Sequence, residues 1–134
     1  MKTLKAGAVL FAKDPDALAL FYEQVAGFTL QVRREGRVVL ETEHFQLVLH
    51  GLPPVIAQNL AIDQPPVRRD DIPVKLVFTT PSLARVRLLA RTLGGELDGP
   101  EEEWQGPYFR ACDGFDPEGN VVQWREPLPG NAME

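Results

Sequence analysis

Few side chains in this chain of 134 residues suit bond-making chemistry, and their spacing narrows the choice. The two histidines, His44 and His50, fall six residues apart on one strand-like segment. At roughly 3.4 Å per residue they stand about 20 Å apart, too far to share a metal ion. His44 reads as a solvated strand end and His50 as a residue on the rim of whatever that strand lines. The lone cysteine, Cys112, has no base near it in sequence and reads as a buried, inert thiol. The acidic run Glu101-Glu102-Glu103 reads as a solvated loop. No glycine-rich phosphate loop and no nucleophile elbow occurs, so nucleotide-driven and serine-hydrolase chemistries find no support. What remains are polar groups suited to holding a ligand, chiefly Gln46, Lys75, Tyr108, Gln123 and Arg125.

The elements that must position them repeat. Residues 7–12 read as a buried strand, and Asp14-Pro15-Asp16 opens a helix whose apolar face is Leu18, Phe21, Tyr22 and Val25. Gly27 stops that helix, and three strands follow over residues 28–34, 37–42 and 44–50, the first two joined by a tight turn at Glu35-Gly36. Residues 51–73, with five prolines, read as a linker long enough to be a lid or a mobile connection. The order then restarts: a strand at 74–80, a helix opened by Thr80-Pro81-Ser82, a stop at Gly94-Gly95, a short strand at 96–98, and strands at 108–112 and 120–126. The chain therefore reads as one α+β domain of two βαβββ modules, about 7–50 and 74–126. Side by side, two such modules form a curved mixed sheet around a central cavity, with the helices outside.

Strand alternation sorts the side chains by face. If the apolar set covers the helices, the cavity receives Gly7, Val9 and Phe11 from the first strand, and Gln46, Val48 and His50 from the fourth. It further receives Lys75, Val77 and Thr79, then Tyr108, Arg110 and Cys112, then Val121, Gln123 and Arg125. A half-apolar space with a few converging polar groups is what small-molecule pockets commonly present.

Composition limits the partners. A net charge of −5, with both signs mixed along the chain, repels a nucleic-acid backbone. The apolar runs are too short to span a bilayer, and the first residues lack the pattern of a secretory signal. With a single cysteine the expected location is the cytoplasm.

Three segments carry a family resemblance. Leu10-Phe11-Ala12-Lys13-Asp14-Pro15 runs into Ala19–Phe28, which looks like an opening strand and an "FY…LGF" helix end. Phe45–Gly51 is similar to a fourth module strand. Trp104 followed by Asp116-Pro117-Glu118-Gly119-Asn120-Val121-Val122-Gln123 is close to a "DPxGNxxE" signature. Together they resemble the vicinal oxygen chelate superfamily, which includes glyoxalase I, bleomycin-resistance proteins, fosfomycin-resistance enzymes and extradiol dioxygenases. The resemblance implies paired βαβββ modules, usually in a homodimer, and in the enzymes a divalent metal held by two residues per module. Carried over, those positions fall at Gly7, Gln46 (or His50 if the register slips), Lys75 and Gln123. Glycine offers no donor, lysine is a cation, and glutamine amides are weak ligands, so no metal or other cofactor is expected.

The expectation is a metal-independent small-molecule-binding protein whose ligand is a small anionic or carboxylate-bearing metabolite, held by Gln46, His50, Lys75, Tyr108, Gln123 and Arg125. Two alternatives stand beside it. One is a lyase, isomerase or dioxygenase-type enzyme using a reduced metal site or Lys75 as acid or base. The other is a partner-binding module with a vestigial cavity.

Overall fold

The computed structural model describes residues 3–129, so Met1, Lys2 and the end of the tail at 130–134 lie outside it. The chain divides into two compact units, Met1–Ile62 and Asp63–Glu134.

The first unit contains β1 (Ala6–Ala12), α1 (Pro15–Ala26), β2 (Thr29–Arg34), β3 (Arg37–Glu41), β4 (Phe45–Gly51) and the short α2 (Pro54–Asn59). Its local signals act as the sequence suggests. Asp14 accepts the Ala17 amide at 3.1 Å, Pro15 takes the first helical position, and Gly27 ends the helix at φ 73°. The sheet order is β1-β4-β3-β2, with β1 parallel to β4 and the other pairs antiparallel. One face of the sheet lies under α1. There Leu18, Phe21, Tyr22 and Val25 meet Val38, Leu40, Leu47 and Leu49, all essentially inaccessible to solvent. Burying one such side chain contributes about 1.5–3 kcal/mol, so this layer supplies the unit's main driving force.

The second unit repeats the plan with β5 (Leu76–Thr79), α3 (Leu83–Thr92), β6 (Glu96–Leu97), a 3-10 turn at Pro100–Glu102, β7 (Trp104–Gln105), β8 (Phe109–Phe115) and β9 (Val121–Pro127). The order β5-β9-β8-β6 matches the first sheet strand for strand, and β7 adds to the outer part of β8. Ser82 caps α3, and Glu126 on β9 accepts the Leu83 amide at 2.7 Å, placing a carboxylate at the positive end of the helix. Leu83, Val86 and Ala90 pack over Phe78, Leu97, Cys112, Val122 and Trp124. The α+β class and the paired βαβββ modules are thus what the sequence indicated.

The segment between the modules is more ordered than a linker. Part of it coils into α2, and the stretch after residue 63 is strapped to the second unit. Arg69 donates its amide to the Gly119 carbonyl at 2.9 Å and its Nε to the Glu118 carbonyl at 3.1 Å, while Arg68 bridges Asp70 and Asp98. The turn that receives the strap is the Asp-Pro-Glu-Gly-Asn signature. Asp116 is fully buried and accepts the amides of Glu118 and Asn120 and the Asn120 side chain at 2.9–3.2 Å. Gly119 has φ 86°, and a Cβ there would lie 2.2 Å from the Val67 carbonyl oxygen. A left-handed backbone and close approach of the strap both require glycine.

Replacing Asp116 with alanine strands buried donors, so a loss of about 1–3 kcal/mol of stability is expected in urea unfolding with an unchanged m value. A loss below about 0.5 kcal/mol would mean that the turn does not depend on this carboxylate.

Candidate functional site

In each unit the last strand runs between the first strand and the third. Each of its residues therefore has a neighbour on either side and on the same face. On β4, Gln46 lies between Gly7 and Glu41. On β9, Gln123 lies between Val77 and Asp113. Gln46 Nε2 donates to Glu41 Oε2 at 2.9 Å, and Gln123 Nε2 donates to Asp113 Oδ1 at 3.3 Å. A lysine two residues before each first-strand neighbour completes the set. Lys5 Nζ lies 2.9 Å from Glu41 Oε1, and Lys75 Nζ lies 2.7 Å from Asp113 Oδ2. The same lysine–carboxylate–glutamine triad is built once per module, on the sheet face away from the helix.

This arrangement corrects the register read from the sequence. Counting back from the helix stops equates Gly7 with Lys75, whereas the ladders equate Gly7 with Val77 and Lys5 with Lys75. The cause is the helices: α3 has 10 residues and α1 has 12, so a count through them slips by two. A second slip affects β8. Cys112 and Arg110 lie on the helix-covered side, and Cys112 is fully buried opposite Trp124. Its Sγ donates to the Asp98 carbonyl at 3.4 Å, and burial pushes the thiol pKa up, which suits an inert group. Asp113 takes the place the sequence reading gave to Cys112. The turn would have revealed it: Asp116 and Asn120 close the β8–β9 hairpin, and pairing outward from them puts Asp113 opposite Gln123.

Around the second triad the polar chain continues. Gln123 Oε1 accepts Arg125 Nε at 2.7 Å, the Arg125 guanidinium sits 4.3 Å from the Phe109 ring centroid, and Phe109 meets Trp104 edge to face at 5.7 Å. Such a cation–π contact is worth about 0.5–2 kcal/mol and fixes the arginine over the sheet. Lys75, Gln123 and Arg125 therefore come together with Asp113. Tyr108 stands just before β8, half exposed, with its carbonyl accepting the Leu128 amide and its ring outside this chain of contacts. In the first unit, Gln46 joins Glu41 and Lys5, but His50 lies four residues along β4 from Gln46, about 14 Å away, next to Phe11 and Arg37. The structure does not bring His50 and Gln46 together.

These positions do not fit a divalent metal, which needs carboxylate, imidazole or thiolate donors converging on one point. Gly7 offers none, and a Cβ added there would meet the Gln46 carbonyl oxygen at 2.2 Å, so a histidine could enter only if β4 moved. Val77, its counterpart in the second unit, offers none either. Lys75 is itself a cation, and the carboxylates Glu41 and Asp113 are each bound to a lysine. Among the described residues no three of His, Cys, Asp and Glu converge on a metal-sized site. No helix among them is long and apolar enough to cross a membrane.

Residues 7–123 match a family described as a glyoxalase-like domain. Among proteins of curated function no match is found. Solved structures with the same fold include a glyoxalase/bleomycin resistance protein/dioxygenase family enzyme from Burkholderia phytofirmans PsJN, at 20% identity over 92% of this chain and 98% of that one, TM-score 0.68. TnmS3, an antibiotic-binding protein from Streptomyces sp. CB03234, is 20% identical over 95% and 98% of the two chains, TM-score 0.61. A bleomycin resistance determinant encoded on the transposon Tn5 is also 20% identical, over 93% and 98%, TM-score 0.59. With a match spanning both modules and the strand order seen in each, this chain belongs to the glyoxalase-like family of the vicinal oxygen chelate superfamily.

Proposed function

We propose that this protein binds a small anionic or carboxylate-bearing molecule without a metal, and that Lys75 is its anchor. The observation that carries the reading is the Lys75–Asp113 pair: this sheet face, where metalloenzymes of the superfamily hold a cation, holds the chain's own ammonium. Its side chains keep 43% and 23% of their exposure, so the pair is worth only about 0–1 kcal/mol. A ligand carboxylate can displace Asp113 at small cost, and Gln123 and Arg125 stand beside it as further donors. The described fold-relatives that bind an antibiotic or confer bleomycin resistance support small-molecule binding as the general role. Lys75 and Arg125 favour an anion over a cationic drug. Tyr108, just before β8, is proposed as a further contact in the second unit, and Gln46 and His50 as separate contacts in the first. A reducing cytoplasm is the proposed setting, which the single unpaired Cys112 suits.

The same reading includes a homodimer. Val9, Phe11 and Val77, on helix-free sheet faces, are 54%, 60% and 42% exposed, and the outer strands leave unpaired edges. Light scattering is expected to return about twice the 14.9 kDa chain mass at micromolar concentration. A mass of one chain would refute the dimer.

A thermal-shift screen of small carboxylates, run with and without EDTA, identifies the ligand class. The melting temperature is expected to be indifferent to EDTA, since a tightly bound metal would add RT ln(1 + [L]/Kd) to the native state. A fall of many degrees on chelation would overturn metal independence. For a carboxylate found by the screen, Lys75→Met should weaken binding by about 1–2 kcal/mol, roughly 5- to 30-fold, after the released Asp113 pair is subtracted. Equal affinity in wild type and variant would remove Lys75 from the site.

A further inference from the structure

The helix-free face of the first unit ends, away from Gln46, in a row of side chains that neither triad uses. Across the sheet from β1 to β2 the row is Phe11, His50, Arg37 and Arg34. Arg34 and Arg37 form the closing pair of the β2–β3 hairpin, directly opposite one another. Like charges so placed repel, and a chain of net charge −5 has carboxylates to spare for them. It spends those elsewhere: Arg33 is paired with Asp16 and Glu23, Arg68 with Asp70 and Asp98, and Arg87 with Glu103. Among the described residues the side chains of Arg34 and Arg37 have no hydrogen bond or ion pair, and Glu35 in the turn between them pairs with neither.

These two arginines and His50 line an open groove of about 480 Å³, which Glu35, Leu52, Pro53 and Pro54 also line. That volume is within the range of small-ligand sites. The frame is firm. Gly51 donates its amide to the Gly36 carbonyl at 2.7 Å, tying the end of β4 to the hairpin turn, and Leu52 donates to the Ala12 carbonyl at 2.9 Å. The His50 ring is oriented by Nδ1, 2.9 Å from the Gly51 carbonyl oxygen. A carbonyl only accepts, so Nδ1 carries the hydrogen and Nε2 is left as an acceptor, or as a donor once the ring is protonated.

We propose that this groove binds a phosphoryl group, carried by a phosphate monoester or by an inorganic polyphosphate. The three terminal phosphoryl oxygens can be shared between two guanidinium forks, each holding a pair, while His50 Nε2 adds a further contact to one of them, taking a hydrogen bond from P–OH or donating to P–O⁻. A carboxylate has two oxygens and one charge and would leave one of the three groups unused. The opposed arginines, which repel in the free protein, become the two arms of a clamp when a dianion lies between them. This site goes beyond the ligand site proposed above: apart from His50 it shares no residue with it, and it lies wholly within residues 11–54.

The test is titration of the full chain with inorganic pyrophosphate and, separately, glucose 6-phosphate, at fixed ionic strength, by calorimetry and ³¹P line broadening. Saturable binding is expected, weakened at least roughly tenfold in the double variant R34Q/R37Q. R85Q/R91Q removes two exposed arginines of α3 and should leave binding unchanged. Relief of the repulsion means that R34Q/R37Q should melt no lower than wild type, so lost binding cannot be lost folding. Binding of both probes assigns the site to phosphate monoesters as well as polyphosphates, and binding of pyrophosphate alone assigns it to polyphosphate. Absence of saturable binding, equal affinity in R34Q/R37Q, or an equal loss in R85Q/R91Q would overturn the proposal.

Discussion

The parallel pairing of the first strand of each module with its last strand is the constraint on which the rest depends. It places β4 between β1 and β3, and β9 between β5 and β8, so one residue on the central strand has two lateral neighbours on its own face. The helix covers the other face and supplies the burial that holds the strands together. The helix-free face is then where polar side chains can be arranged across three neighbouring strands, and both modules use it alike. A lysine, a carboxylate and a glutamine satisfy one another there.

That mutual satisfaction leaves these positions poorly suited to holding a divalent metal. A metal site demands surplus negative or lone-pair donors, and here each carboxylate is already matched to an ammonium. The two triads are not equal. Glu41 is 5% exposed and is held by a lysine that also reaches the Thr42 carbonyl, so this triad acts as a structural clasp. Lys75 keeps more of its exposure and its triad continues through Gln123 to Arg125 and the Phe109 ring, so the second triad is the more accessible of the two.

Most of the architecture was legible because its signals are local. Asp14-Pro15 at one helix start, Ser82 at the other and Gly27 at a stop each act within one turn of chain. The polar faces of β4 and β9 followed from alternation, since Leu47, Leu49, Val122 and Trp124 mark the buried side. What was not legible depended on non-local geometry. The equivalence of Lys5 with Lys75 is set by strand pairing, and a two-residue difference in helix length hid it. Asp113 was missed because Tyr108-Phe109-Arg110-Ala111-Cys112 lacks a clean alternation, and only the turn at Asp116–Asn120 fixes its register. The strap over Gly119 was unreadable because prolines and charges mark a loop without saying what it rests against.

The central claim is that Asp113 is an internal counter-ion which a ligand's acid group must displace from Lys75. The most direct measurement compares the affinity of an anionic ligand for wild type and for Asp113→Asn. The substitution keeps an acceptor for Gln123 and removes the competing charge, so binding should tighten several-fold, by up to about 1 kcal/mol. Unchanged or weakened binding would contradict the account, because it would mean that Lys75 does not receive the ligand where Asp113 now holds it.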